Sequence, residues 1–506
     1  MKSNRNLSRA EGKRLGNVAL IAFMLGSLLL LSLARAKFSP IGKTGDTIKA
    51  EEQQAMAKAS GEMATAHDAA AAAADFCRLS VTEEEEEETR SKPTDSDISG
   101  AAIAVGDDHA ERVRRPVCYE SSRRSDTCEA AGDVRVVGRA QTVLVGALDR
   151  EWKVKPYCRK HDAFALSHVK EWTLRPLVGG DEARAPRCTV NSSATAFVLS
   201  TGGFTGNLFH DYTDVLIPAF ITARRYGGDV QLLVSSHKPW WAAKYMPVLQ
   251  QLSRHELVDA DADGEVRCYP RVVVGPTFHR ELGVGAETKA PGGEEEGVSM
   301  PEFRAMLRRA LGLERAAAAP SGDRWDVRRR PRLLIISRRQ SRRLLNERAM
   351  ADMATSLGFD VRVGDPEAST DVARFARLVN SADVMVGVHG DGLTNMVFLP
   401  AGAVLVQVVP YGGLEWLARG MFRDPAAGMQ VHYLEYVVRA GETTLSEEYG
   451  EDDPVIRDPA AVHRKGWDAL KAVYLDKQDV RPHLGRLRNT LLQALKLLPH
   501  GRQSTD

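Results

Sequence analysis

Two short apolar runs near the C-terminal third constrain this chain more than any other feature. Residues 384–388 (VMVGV) and 403–409 (AVLVQVV) are rich in β-branched side chains and have the length of buried strands. Between them lie His389-Gly390-Asp391-Gly392, a short helix expected over 394–399 with Thr394 or Asn395 able to cap it, and a Pro400-Ala401-Gly402 turn. A strand, a glycine loop, a helix start and a second strand make a βαβ-like unit, so residues 383–409 point to an α/β fold. Such a loop turns backbone N–H groups toward whatever sits above the strand end, and the helix start adds positive potential. The expected guest is a phosphate or diphosphate; the bland alternative is a plain turn.

The segment before this unit extends it. A buried strand over 331–337 is followed at once by Arg338, Arg339, Arg342, Arg343 and Asn346. Guanidinium groups just past a strand end stand where open α/β sheets bind ligands. Their forked donors suit diphosphate oxygens, although a solvated basic helix face would show the same composition. With a helix over 350–357, a strand over 360–363 and a helix over 374–380, the arginines and the His389 loop belong to one βαβαβ-type domain.

A related pattern occurs earlier. Residues 133–145 alternate like a strand and 152–160 form a polar-aromatic knot. A strand over 196–200 runs into TGGFTG (201–206) and then NLFHDYTDVLIP (207–218). His210 and Asp214 are four apart on the expected helix and share a face, with Asp211 one step round. A histidine oriented by a carboxylate is a general-base candidate; acidic residues that merely favour the helix N-terminus are the alternative. A strand over 230–234 and a helix carrying Trp240-Trp241 to residue 252 follow. The DADADG run at 259–264 resembles a calcium loop, but its twelfth position is Pro270 where a bidentate carboxylate is needed, so that reading fails. A manganese-binding D-x-D stays open beside an acidic turn between strands 256–258 and 266–269. Residues 281–299 are a loop, 301–313 an amphipathic helix and 316–326 an interdomain linker.

Charge and apolar patterning suggest a compartment. Lys+Arg (68) and Asp+Glu (67) nearly cancel, which argues against nucleic acid as a partner. Lys2, Arg5, Arg9, Lys13 and Arg14 precede an apolar run over 15–34, about the ~20 residues that span a bilayer. The expectation is a cytosolic tail (1–14), a single-pass signal anchor (15–34) and a lumenal remainder; a signal peptide cleaved after Ala34-Arg35-Ala36 competes. Residues 35–111, with an alanine tract and the acidic run 83–88, have little to bury and are expected to form a disordered stem. The head divides into an N-terminal domain (112–326) and a C-terminal domain (327–506). Six cysteines (77, 118, 128, 158, 188, 268) contain no C-x-x-C pair, and an oxidising lumen would pair some of them, Cys118–Cys128 being the most local candidate. Five fall in the head, so one stays free, or Cys77 joins in or bridges two chains; homo- and hetero-oligomers are both left open. Asn191-Ser192-Ser193 is a glycosylation sequon if lumenal, whereas Asn6-Leu7-Ser8 falls in the cytosolic tail.

The ordered set GNLFHDYTD, LIISRRQSRRLLN, VMVGVHGDGLTNMVFLP and QVVP, with PYCRK (156–160), WWAAKY (240–245) and DKQDV (476–480), resembles plant glycosyltransferase family 61 over about 115–498. The resemblance implies a GT-B fold, two Rossmann-like domains facing a cleft, with the nucleotide on the C-terminal one. It implies a Golgi enzyme that is inverting and metal-independent, needs no cofactor, and transfers from a UDP-sugar. Similar members place arabinofuranose or xylose on xylan; another branch adds β-1,2-xylose to N-glycans, and an inactive, partner-binding relative is a further alternative. By position, Ser337, Arg338, Arg342 and Asn346 match the family's S-R…R…N pattern, and His389, Gly390, Gly392, Leu393, Thr394 and Asn395 its H-G-A-G-L-T-N. The resemblance then implies that these hold UDP, and that His210 with Asp211 or Asp214 removes the acceptor proton. Two positions depart from the pattern. Asp391 stands where Ala is usual, so its carboxylate is expected to point away, to pair with an arginine or to weaken donor binding. The stretch GETTL (441–445) has one carboxylate fewer than EESSL.

Overall fold

The computed structural model describes residues 117–146, 148–177, 185–285, 298–319, 330–366 and 371–499. The expected tail, anchor and stem, with Cys77 and Asn6, lie outside these residues. Among the described residues, no helix is long and apolar enough to cross a membrane.

The first half is built on ten strands: β1 (Cys118–Ser122), β2 (Ser125–Val137), β3 (Thr142–Val145), β4 (Trp152–Val154), β5 (Trp172–Pro176), β6 (Val190–Asn191), β7 (Thr195–Ser200), β8 (Val230–Ser235), β9 (Val258–Asp259) and β10 (Val266–Val274). The main path is β4-β5-β3-β2-β10-β7-β8-β9, with β1 on β2 and β6 on β10. β10-β7-β8-β9 is a continuous parallel block, and β3–β5 and β6–β10 also pair parallel. β2 joins it antiparallel to β10 and pairs antiparallel with β3. The expected Rossmann-like sheet is therefore the parallel core of a larger mixed sheet. β7 is buried at every position, as a parallel strand covered on both faces must be. Chain order within the block is 3-2-1-4 read from β9, so the connections change direction between β7 and β10.

The second half holds β11 (Arg332–Ile336), β12 (Asp360–Gly364), β13 (Val384–Val388), β14 (Val404–Val409) and β15 (His432–Val437). All neighbours are parallel, in the order β12-β11-β13-β14-β15. This 2-1-3-4-5 order is doubly wound, and its direction changes between β11 and β13. Ligands of open α/β sheets bind outside the carboxyl ends of the strands at such a point.

One apolar cluster runs through both halves, joining Phe197, Phe209, Tyr212 and Phe303 to Ile336, Phe398 and Phe422. Helix Met300–Leu311 is the seam. From it the buried Arg304 donates to the carbonyls of Val397, Leu399 and Met429, satisfying acceptors of the second half. The expected linker at 316–326 is partly docked, since Ala401 donates to the Ala316 carbonyl and Ala318 to the Ala401 carbonyl; residues 320–329 lie outside the description.

Two helices differ from expectation. The segment Asp391–Phe398 is a 3-10 helix headed by Gly390, and neither Thr394 nor Asn395 caps it. A 3-10 turn rises ~2.0 Å per residue against ~1.5 Å in an α-helix, so it carries the short connection from β13 to β14 further. The helix after β7 is α over Leu208–His210, π over Asp211–Leu216 and α over Ile217–Arg224. Pro218 has no N–H to offer the carbonyl four residues back, and the wider π turn absorbs that gap.

Cys118 is bonded to Cys128 and Cys188 to Cys268, while Cys158 is buried and free. Opening Cys188–Cys268, which closes a sequence separation of 80 residues, should cost ~2–4 kcal/mol, more than opening the local pair. Urea unfolding of Cys268→Ser and Cys118→Ser under non-reducing conditions checks the order, and Cys158 should resist a thiol reagent until the chain unfolds.

Candidate active site

The candidate general base lies at the carboxyl end of β7. Asn207 caps the helix start, its side chain accepting from the N–H groups of Phe209 and His210. His210 is thereby held over the π turn. Its Nδ1 lies 2.8 Å from Asp214 Oδ2. Asp214 is fully buried and also accepts from Tyr157 Oη at 2.9 Å and from Arg159 Nε at 3.0 Å. Burial alone would raise the Asp214 pKa, but Arg159 and His210 outweigh it and hold the carboxyl down to about 2. An ionised carboxylate can only accept, so Nδ1 carries the ring proton and proton uptake falls to Nε2. Glu281 lies behind Arg159, paired with Arg124 as well.

Asp211 is placed differently. Its oxygens accept from Trp241 Nε1 at 2.7 Å, Tyr245 Oη at 2.8 Å and the Gly206 N–H at 2.8 Å. It ties the glycine loop to helix Pro239–Leu252 and makes no hydrogen bond to the imidazole. Thus Asp214, not Asp211, shares a hydrogen bond with His210. Trp241 is buried by this duty, while the half-buried Trp240 lies over Gly206, whose φ of +122° and missing side chain leave room for the indole.

The second cluster stands at the carboxyl ends of β11 and β13, where the winding of the second sheet reverses. Arg338 follows β11, its Nε donating to the Ser341 carbonyl and its Nη1 to Asp391 Oδ1 at 3.0 Å. Arg342, at φ +57°, donates through Nη1 to the His389 carbonyl at 3.0 Å. Its Nε is buried with no hydrogen-bond partner. Burial and the neighbouring Arg338 lower the Arg342 pKa to about 9. Gly390 has φ +150°, a conformation that favours glycine, and a Cβ there would stand 2.6 Å from Arg338 Nη1 and push the guanidinium aside. His389 is buried, and burial with the two arginines lowers its pKa to about 3. Its Nδ1 meets Gln407 Nε2 at 2.7 Å, and Tyr433 Oη donates to Gln407 Oε1. The amide is thereby oriented as a donor, which makes His389 a neutral ring protonated on Nε2.

The remaining matched positions divide. Leu393 is core packing beneath Gly387. Asn395 Nδ2 closes the loop onto the Gly392 carbonyl, and the Ser337 N–H donates to the Gly364 carbonyl. Asn346 binds the Pro482 carbonyl through Nδ2, and its Oδ1, like Thr394 Oγ1, is buried without a hydrogen-bond partner. Gly392 approaches Ile336 and Pro366. Glu442 in the GETTL stretch gathers Tyr436, Arg486 and the His483 N–H, and so anchors the closing helix Leu484–Leu497. In the DADADG run Asp259 accepts from the N–H groups of Asp261 and Ala262, Asp261 meets Lys170, and Asp263 meets Arg267. Among the described residues no group of three or more His, Cys, Asp or Glu is arranged to hold a metal ion.

Aromatic rings connect the two clusters. Phe209, next to His210, lies 6.2 Å from Phe422, which lies 5.6 Å from His389. Helix Leu208–His210 packs on the 391–398 helix. Sequence reasoning missed Tyr157, Arg159 and Gln407 as members of these networks. The first two lie in the polar-aromatic knot at 152–160, within PYCRK, and Gln407 opens QVVP, so both motifs were the available signal although neither shows which partner the side chain meets.

A glycosyltransferase 61 family model matches residues 208–406, from the helix carrying His210 into β14. An alpha-1,3-arabinosyltransferase of Oryza sativa subsp. japonica is 40% identical over 395 residues, covering 77% of this chain and 66% of the relative. A beta-1,2-xylosyltransferase of the same plant is 40% identical over 401 residues, covering 75% and 84%. A xylan glycosyltransferase of Arabidopsis thaliana is 33% identical over 395 residues, covering 74% and 78%. The match thus spans just under two thirds of the first relative's length and more of the other two.

Two outcomes follow for stability. Asp211→Ala strands three donors, two of them buried, and should cost ~3 kcal/mol or more in urea unfolding. With a folded pKa of about 3 against ~6.5 in the unfolded chain, His389 leaves the unfolded state holding the extra proton in between. Stability therefore falls as pH drops through that window, by up to ~1.4 kcal/mol per pH unit. His389→Asn should flatten that slope between about pH 6 and pH 4; an unchanged slope would refute the neutral buried ring.

Proposed function

Because the chain belongs to the glycosyltransferase 61 family, we propose that it transfers a pentose, arabinofuranose or xylose, from a UDP-sugar onto xylan. The single observation that carries the mechanism is that two unlike sites, each at the carboxyl ends of parallel strands, are linked through Phe209 and Phe422. One is an imidazole backed by a buried carboxylate; the other is an arginine-lined glycine loop.

In this reading the UDP diphosphate lies over the loop 389–395, facing Arg338, Arg342 and the neutral His389. These groups meet the charge that builds on the leaving phosphate, the largest electrostatic demand of the step. The acceptor hydroxyl lies against His210. Its oxygen attacks the anomeric carbon, its proton passes to His210 Nε2, and the bond from that carbon to the diphosphate oxygen breaks. UDP leaves and the anomeric configuration inverts. Asp214, held by Tyr157 and Arg159, keeps Nδ1 protonated and faces the imidazolium as it forms. The arginines supply the positive charge that a divalent cation supplies elsewhere, so transfer is expected to persist in EDTA. The two sheets, each with a direction change at its site, support a GT-B arrangement. The two disulfides and the exposed Asn191 on β6 support a lumenal head, hence a type II Golgi protein with Asn191 glycosylated.

The test uses the full chain in detergent with xylan oligomers and UDP-xylose, UDP-arabinofuranose or UDP-N-acetylglucosamine. A pentose donor should be used and the hexosamine donor refused. His210→Ala should keep UDP affinity in calorimetry and lose about 10²-fold or more in transfer rate. Arg342→Ala should lose UDP affinity. Full turnover by His210→Ala, or loss of activity in EDTA, would sink the mechanism.

A further inference from the structure

The proposed diphosphate cradle already contains an anion. Asp391 Oδ1 accepts from Arg338 Nη1 and from the Gly392 N–H, both at 3.0 Å. The Arg338 side chain is only 10% exposed and its guanidinium fills the space beside Gly390, whereas the Asp391 side chain is 35% exposed. The carboxylate is thus the accessible member of the pair and the guanidinium the fixed one. Arg342 also approaches Gly390, its Nη1 on the His389 carbonyl and its Nε buried without a hydrogen-bond partner. Two guanidinium groups therefore converge on one glycine, and the Asp391 carboxylate is hydrogen-bonded to one of them, Arg338. A diphosphate cannot be added to this arrangement unchanged, because its oxygens and the Asp391 carboxylate would compete for the same donors and repel each other.

We propose that Asp391 is a resident counter-anion: it occupies Arg338 in the free protein, a diphosphate displaces it, and it thereby sets how tightly the donor and the product UDP are held. The anion class is carried by the arginines alone; that it belongs to a nucleotide sugar rests on the function proposed above. Exchange of one anion for another binds more weakly than occupation of an empty cation. It also gives Arg338 a partner to return to as UDP leaves, a step that limits turnover in many enzymes. Asp391 has a second, separable role, since its Oδ1 also satisfies the Gly392 N–H in the first turn of the 3-10 helix. An asparagine keeps an oxygen for that N–H and removes only the charge; an alanine removes both.

The experiment is calorimetric titration of the full chain in detergent, as wild type, Asp391→Asn and Asp391→Ala, with UDP and with inorganic pyrophosphate as separate probes. Asp391→Asn should bind both probes about tenfold more tightly, with the gain shrinking as salt rises. Asp391→Ala should gain in the same direction, with a lower melting temperature in the absence of anion. Affinities unchanged or weaker in both variants, with wild-type melting, would overturn the proposal, as would failure of both to fold, which would make the carboxylate a structural anchor. If pyrophosphate tightens but no form binds UDP, the counter-anion stands and the nucleotide-sugar reading falls. If wild type binds UDP and neither substitution gains, the nucleotide reading stands and the counter-anion falls. Binding of neither probe by any form overturns both.

Discussion

A fully buried carboxylate, Asp214, is the constraint on which the N-terminal site depends. An ionised group with no access to water is tolerated only when its oxygens are paired and hydrogen-bonded. Its partners come from separate segments: Tyr157 and Arg159 from the loop after β4, and His210 from the preceding turn of its own helix. Removing any partner leaves the charge exposed to apolar surroundings, so the loop, the π turn and the imidazole are positioned together. The same need fixes the histidine tautomer. A structural requirement, satisfying a buried charge, and a chemical one, orienting a base, are met by one set of bonds.

The C-terminal site follows the opposite logic. Its excess charge is positive, and it is concentrated where a parallel sheet changes winding direction. Arg338 and Arg342 are drawn together by the sharp turn after β11 and by Gly390, which lets them lie on the backbone. Their mutual repulsion is relieved by Asp391 on one side and by keeping His389 neutral on the other. The positive charge of the cluster is balanced by the Asp391 carboxylate on Arg338. The halves share one apolar core and are joined by the buried Arg304.

Much of this was legible in the chain, because strand ends and glycine turns are local events. The buried strands around 333–336, 384–388 and 404–409 announce themselves by unbroken β-branched runs. The i, i+4 spacing of His210 and Asp214 announces a shared face. The mixed character of the first sheet was not legible, since antiparallel partners such as β2 and β10 are distant in sequence and set by packing. The 3-10 character of residues 391–398 depends on the span to be crossed, which no local propensity encodes.

By itself the sequence determined which segments become strands, where glycine loops interrupt them, and which charged side chains stand at their ends. These follow from side-chain shape, apolar periodicity and backbone freedom within a few residues. Tertiary structure alone decided which carboxylate serves the imidazole. Spacing put Asp214 on the face of His210 and Asp211 one step round but left both as candidates, and the approach of Trp241 and Tyr245 to one, and of Tyr157 and Arg159 to the other, separates them. It also decided the fate of Asp391. A carboxylate in a diphosphate loop is a contradiction in one dimension, and it resolves when Arg338, distant in sequence, lies 3.0 Å away.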